Sequence, residues 1–333
     1  MKIFRPFTTL KILIVYASLS SCQYKKQELE QISCIDSLLQ VKATSILEHK
    51  LSEINALSGQ VIIMEVQTGQ IKALVGLTKK DSANYQPCEN FAITQESGLM
   101  HPVSLLAALE SGKVKLSDKV DTGNGIYSVY SRSLKDHNWN RGGYGELTVQ
   151  EGLAVSSNIA TYKTMEKAFG DNPQSYFDLL AKMDYGKPDS IIGIANLKPV
   201  YFVTPKDSNW TKTAFAWFSI GYNQLISPIQ MLTFYNAIAN NGKMIQPQLY
   251  KDSAVVINPQ IASKASIDSL KQALVFNITD GLGQPAKSDK VVVAGMQGTT
   301  SLSTSENSTM DMYAVQFCGY FPADNPKDRK SVV

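Results

Sequence analysis

Histidine is scarce in this sequence: His49, His101 and His137 are the only three among 333 residues. Cysteine is nearly as rare, with Cys22, Cys34, Cys88 and Cys318. These spacings fit no zinc or other metal-ligand pattern, so no metal centre is expected. No nucleotide or other cofactor motif occurs either. An excess of one charge sign is also missing. Lys2, Arg5 and Lys11 account for the whole formal charge of +3, and the remaining chain is neutral. That excludes the electrostatic footprint of a nucleic-acid binder. No apolar run approaches the roughly 20 residues that cross a bilayer as a helix. The composition is 44% hydrophobic and 18% charged, which is that of a globular protein. The length suits one large or two small domains. There is no internal repeat and no low-complexity segment.

Residues 1–21 read as an address. Lys2, Arg5 and Lys11 form a basic start, Ile12 to Leu19 a short apolar stretch, and Leu19-Ser20-Ser21-Cys22 a small-residue cleavage site. With cysteine placed directly after the small residues, the segment resembles a bacterial lipoprotein signal, cut before Cys22 and lipidated there. The mature chain would then be exported and held to a membrane by its lipid. A plain secretory signal with an incidental cysteine remains the alternative. The polar residues 22–31 read as a tether. Cys34, Cys88 and Cys318 read as ordinary part-buried thiols.

From Ile32 to Ile54 apolar residues recur at helical spacing, which predicts an amphipathic helix of about six turns. Residues 59–66 and 70–77 are β-rich runs joined by Gln67-Thr68-Gly69, a hairpin signal. The stretch from about Pro102 to Asn241 is mostly helical. Helices are predicted over 103–109, 149–169, 228–240 and, further on, 266–276. The one at 228–240 opens on Pro228 and ends at Asn241-Gly242, as helix punctuation requires. Strands are predicted over 291–294 and 313–320, with another starting at Ser331. Helices inserted between the strands of one sheet point to an α+β fold, an antiparallel sheet with helices on its faces.

Several long stretches carry a resemblance. The run SGQVIIMEVQTGQIKALVG from Ser58 resembles the opening hairpin of class B penicillin-binding protein transpeptidase domains. Asp121-Thr122-Gly123-Asn124-Gly125 and Asp136-His137-Asn138-Trp139 lie where such domains carry similar stretches. SIGYNQLISPIQMLTFYNAIANNG from Ser219 and FCGYFPADNPK from Phe317 are close to family signatures. The resemblance spans roughly residues 30 to 333, in the family's order. It implies a penicillin-binding protein transpeptidase / β-lactamase-like domain over 32–333, with an inserted helical subdomain at about 98–245. Such domains continue beyond Ser331 with the rest of that strand and a covering helix. The sequence stops at Val333, so a natural truncation or a fragment is expected, with sheet surface left bare.

The family's reaction is acyl transfer through a serine ester, built from Ser-x-x-Lys, Ser-x-Asn and Lys-Thr/Ser-Gly motifs. A serine hydroxyl needs a neighbouring base, and one helical turn sets the lysine beside it. Backbone N–H groups hold the oxyanion. No Ser-x-x-Lys occurs anywhere in this chain. The matching stretch, Glu96 to Pro102, is one residue short. Either the serine is deleted and His101 stands for the lysine, or Leu99 replaces the serine and Pro102 the lysine. Both alignments lose the nucleophile. A Ser97–His101 pair, four residues apart, is a conceivable substitute. The second motif survives as Ser156-Ser157-Asn158. By resemblance, Ser156 would relay protons and Asn158 would bind a substrate amide. The third reads Met296-Gln297-Gly298-Thr299. Gly298 and Thr299 match as substrate-binding positions. Met296 replaces the lysine that would meet a carboxylate, and Gln297 the hydroxyl residue. Loss of a nucleophile removes about a millionfold of rate.

The resemblance therefore implies a cell-envelope protein, lipid-anchored at Cys22. It is expected to bind a peptidoglycan stem peptide or an envelope protein without turning it over. Two alternatives stay open: a D,D-transpeptidase or carboxypeptidase with a displaced serine (Ser97, Ser156 or Ser157), and a truncated non-functional remnant.

Overall fold

An antiparallel sheet of six strands organises the chain. The computed structural model describes residues 32–82, 84–301, 312–324 and 330–332. The expected signal, the lipidation candidate Cys22 and the tether lie outside the described residues. In chain order, helix α1 (Ser37–Glu53) precedes strands β1 (Ser58–Glu65), β2 (Ile71–Lys79) and β3 (Tyr85–Pro87). Helix α2 (Met100–Glu110) leads to the short strands β4 (Lys119–Asp121), β5 (Ile126–Val129), β6 (Arg132–Lys135) and β7 (Glu146–Thr148). Then come α3 (Val149–Ala154), α4 (Asn158–Phe169), α5 (Pro173–Lys182), β8 (Tyr201–Phe202), α6 (Ala214–Ser219) and β9 (Gln224–Leu225). The rest is α7 (Pro228–Ala239), β10 (Met244–Ile245), β11 (Val256–Asn258), α8 (Lys264–Asp280), β12 (Ala294–Ser301), β13 (Tyr313–Phe321) and β14 (Lys330–Val332). The sheet order is β12-β13-β14-β1-β2-β3, the α+β arrangement expected.

Strand alternation sends side chains to two different cores. Ile62 and Met64 of β1 join the main core, whereas Val61 and Ile63 join Ala73, Val75 and Leu77 of β2 on the other face. That second face is covered by Leu39, Ala43, Leu47 and Leu51 of α1, a stripe repeating every four residues. On the main-core face lies α7, buried at every position. Its start is fixed by a capping box between Ser227 and Gln230, with Pro228 in the first turn.

The structure corrects four sequence expectations. The helix expected from Ile32 begins only at Ser37, because the Asp36 side chain accepts the Leu39 N–H and caps it there. Residues before it run extended, with Cys34 N–H donating to the Leu249 carbonyl. Ile46 and Ile54, expected on the apolar stripe, are exposed. The single helix expected over 149–169 is two helices, α3 and α4, broken at residues 155–157. The strand expected over 291–294 starts only at Ala294, opposite Tyr320. Its partner ends at Phe321, and the next residue, Pro322, has no N–H to extend the ladder. Helices α5 and α6 lie within the stretch expected to be mostly helical, although no bounds were predicted for them.

Gln40 ties α1 to the sheet. Its side-chain amide donates to the Leu74 carbonyl and accepts the Leu74 N–H, both at 2.8 Å. β3 pairs only with Leu77 to Lys79, so the amide of Gln40 supplies at Leu74 what a neighbouring strand would. Replacing Gln40 by Ala leaves both groups of Leu74 short of a partner. The expected loss is about 2 kcal/mol, read as a lower midpoint in urea. An unchanged midpoint would contradict this role.

Candidate active site

The matching motif positions meet where three pieces converge: the start of α2, the break between α3 and α4, and β12. The break comes first, because it is made by a residue from elsewhere. Asp136 is fully buried and accepts from Ser157 Oγ at 2.8 Å and from the Ile159 N–H at 3.0 Å. Ser157 Oγ in turn accepts the Ala160 N–H and caps α4. Burial pushes the Asp136 carboxyl above its ordinary range, and the bonds from Ile159 and Ser157 pull it back. Holding this cap forces Ser156 into the left-handed region, at φ 52°, a conformation an ordinary residue adopts only under constraint. Asn158 then reaches the Lys135 carbonyl with its side-chain amide at 2.9 Å.

Opposite this turn stands His101, on the first turn of α2. Its Nδ1 lies 3.4 Å from Ser156 Oγ. The ring is 3% exposed, and burial drives its pKa down to about 4, with a hydrogen bond to Asn158 opposing in part. The imidazole is therefore neutral at pH 7. The adjoining void, lined by His101, Leu105, Leu153, Ala160 and Met165, has a volume of about 10 Å³, enough for one water at most.

The stretch that should carry the nucleophile is clamped from two sides. Gly221, at φ +107°, approaches so closely that a Cβ there would sit 2.0 Å from the Ser97 carbonyl oxygen. Gly298 of β12 approaches from the other side, where a Cβ would meet Gly98 C at 2.5 Å and Leu99 N at 2.9 Å. The contact is mutual, since a Cβ on Gly98 would lie 2.7 Å from Thr299 N. Leu99 is 1% exposed and its carbonyl accepts the Tyr235 hydroxyl at 2.9 Å. Ser97 Oγ donates to Gln316 Oε1 at 2.9 Å and accepts the Leu99 N–H. The structure thus brings His101, Ser156 and Asn158 together, and does not pair Ser97 with His101.

On β12, alternation separates the two altered positions of the third motif. Met296 is fully buried in the main core. Gln297 accepts from Asn277 of α8 at 2.9 Å. Thr299 is exposed beside Gly98. Lys163, which follows the second motif on α4, donates to the Asp121 carbonyl. Sequence reasoning anticipated that a side chain at Gly298 would crowd the strand's approach, but missed the organising role of Asp136 and the close approaches at Gly98 and Gly221.

A depressed histidine pKa carries a sign. Between pH 6.5 and about 4 the unfolded chain takes up a proton at His101 that the folded chain refuses. Stability from this group is complete above the unfolded value and falls as pH drops through that window, by about 3 kcal/mol in total. His101→Gln is expected to lack this component. In NMR the His101 ring resonances should stay flat down to about pH 5; a midpoint near 6.5 would contradict the burial account.

Comparisons with known proteins bear on the domain as a whole. The family model described as the penicillin binding protein transpeptidase domain matches residues 59–328. A probable peptidoglycan D,D-transpeptidase, PbpC of Pseudomonas aeruginosa, is 26% identical over 306 residues, covering 88% of this chain and 52% of that protein. PenA of Neisseria flavescens, of the same description, is 25% identical over 315 residues, covering 90% of this chain and 74% of its own. The chain thus spans about half the length of the first relative and three quarters of the second. The apo transpeptidase domain of Burkholderia pseudomallei penicillin-binding protein 3 superposes with a TM-score of 0.76 at 22% identity, covering 90% of this chain and 87% of that one. This chain belongs to the penicillin-binding protein transpeptidase domain family.

Proposed function

We propose that this protein is a non-catalytic member of its family, exported to the bacterial cell envelope. It binds a peptidoglycan stem peptide, or an envelope protein presenting similar chemistry, without forming an acyl-enzyme. The observation that carries this reading is the contact of Gly98 with Gly298 and Thr299, with Leu99 buried beside it. No hydroxyl is presented at the start of α2, and Met296 offers no cation to a substrate carboxylate. Ser156, Asn158, Gly298 and Thr299 keep family identities at a site that has lost its nucleophile. They are assigned to ligand contact and to holding the cleft in shape.

A second reading has one observation in its favour. Ser156 Oγ faces His101 Nδ1, and Asn158 bonds the same ring, so a displaced serine nucleophile has a base beside it. The magnitudes argue against it. A distance of 3.4 Å is long for a working hydrogen bond. A conjugate acid with pKa about 4 makes a poor general base near neutral pH.

Hydrolysis of a D-Ala-D-Ala ester probe separates the two. The expected rate is that of buffer alone, unchanged by Ser156→Ala. Turnover that Ser156→Ala abolishes would establish the second reading instead. The anchor is tested separately. Expressed with its residues 1–22, the protein should take up labelled fatty acid and partition to membranes, and Cys22→Ser should lose both. Label on the Cys22→Ser protein would overturn that assignment.

A further inference from the structure

Helix α1 is apolar on two sides. Leu39, Ala43, Leu47 and Leu51 face the sheet, yet Leu38, Val41 and Ile46 are 66%, 66% and 64% exposed. At about 100° per residue these three fall within an arc of about 140° on the side opposite Leu47. Leu38 neighbours Val41 at a spacing of three, and Leu38, Lys42 and Ile46 follow one another at spacings of four, so the side chains form one outward face. Exposed Lys42 and Ser45 lie within it. No Asp or Glu occurs from Ser37 to Leu47. Glu48 and Glu53 come only in the later turns, and Glu53 is paired with Lys50. Ile32, just before the helix, is 62% exposed and adds to the same end of the molecule.

Single exposed apolar residues are ordinary on a protein surface, whereas a cluster on one helix face marks a contact. The chain itself points to what is contacted. Ten residues separate Cys22 from Ile32, which reach at most about 35 Å when fully extended and about 17 Å as a relaxed coil. A lipid on Cys22 therefore keeps α1 within reach of the bilayer. The face is convex and narrow, with a lysine inside it. That suits the membrane interface, where apolar side chains enter the acyl boundary and a lysine stem lies along them with its ammonium among the headgroups. Three side chains on one helix fall far short of the roughly 1,200 Å² that a specific contact with a second copy or another protein buries.

We infer that the outward face of α1 rests on the membrane surface, with Leu38, Val41 and Ile46 in the boundary between headgroups and acyl chains. The inference rests on the proposed lipid anchor at Cys22 and adds a second contact, one that orients the domain. Helix α1 covers the sheet face opposite the main core, whereas α2, α4 and Met296 of β12 belong to the main core. The sheet then stands between the bilayer and the candidate site, which lies on the side away from lipid.

Photocrosslinking in the full chain tests it. Benzoylphenylalanine replaces Val41, the protein is expressed in bacteria with its residues 1–22, and the membranes are irradiated. A control carries the same group at Tyr130, exposed at the tip of the β5–β6 hairpin, which packs through Arg132 on Trp217 of α6. Position 41 should give lipid adducts, seen as lipid-sized mass increases on the α1 peptide, and position 130 none. Leu38→Gln combined with Ile46→Gln should lower the yield at position 41 about fivefold or more, because attachment scales with the apolar area inserted. Circular dichroism should be unchanged, since both side chains are exposed. No lipid adduct at position 41, equal adducts at position 130, an unchanged yield in the double variant, or crosslinks to a second copy or another protein in place of lipid would each overturn the inference. Fatty acid on Cys22 is read in the same sample. Label on Cys22 without adducts at position 41 overturns the docking and leaves the anchor standing. Adducts at position 41 without label overturn the anchor and leave the docking standing.

Discussion

Two glycines, Gly98 and Gly298, let the backbone before α2 rest directly on the backbone of β12. Neither position can take a side chain without pushing the two segments apart. Gly221 holds the same stretch from the other side, at Ser97, and the Tyr235 hydroxyl fixes the Leu99 carbonyl. An acyl-transfer site works by placing reacting atoms about 3 Å apart with donors aimed at the developing charge. In the non-catalytic reading proposed above, the close approach of Gly98 and Gly298 leaves the backbone no such gap.

Electrostatics around His101 reinforce that geometry. A buried imidazole with pKa near 4 has an affinity for protons a few hundredfold below that of a free one. The same burial that makes it a weak base makes it a good packing element between α2 and the α3–α4 break. Ser156 is constrained at positive φ by the cap on α4, so its orientation is a product of Asp136 and Ser157. The pair is accounted for by the fold.

Much of this was legible in the residue pattern. The alternation in 59–77 gave the central hairpin, and Ser227-Pro228 with Asn241-Gly242 bounded α7 to within a residue or two. The misses have mixed causes. In 149–169 the local signal is Ser157, which caps α4 by accepting the Ala160 N–H, and Asp136, some twenty residues upstream, holds that serine in place. Val291 and Val292 have high β propensity, but the ladder is interrupted at Pro322, which has no N–H; past it the Val292 carbonyl accepts the Ala323 N–H without extending the strand. Helix α6 is too short to show a period. For α5, Tyr176, Phe177 and Leu180 do mark a buried face, and that signal was readable. The site divided the same way. The loss of Ser-x-x-Lys was plain from the letters alone. The closeness of His101 to Ser156, and of Gly98 to Gly298, depends on how α2, α4 and β12 pack.

The most direct measurement is the intact mass of the folded protein after prolonged exposure to a reactive β-lactam. The account predicts an unchanged mass, because no hydroxyl is placed to open the ring. A stoichiometric increase equal to one β-lactam, mapped by peptide analysis to a serine, would contradict it.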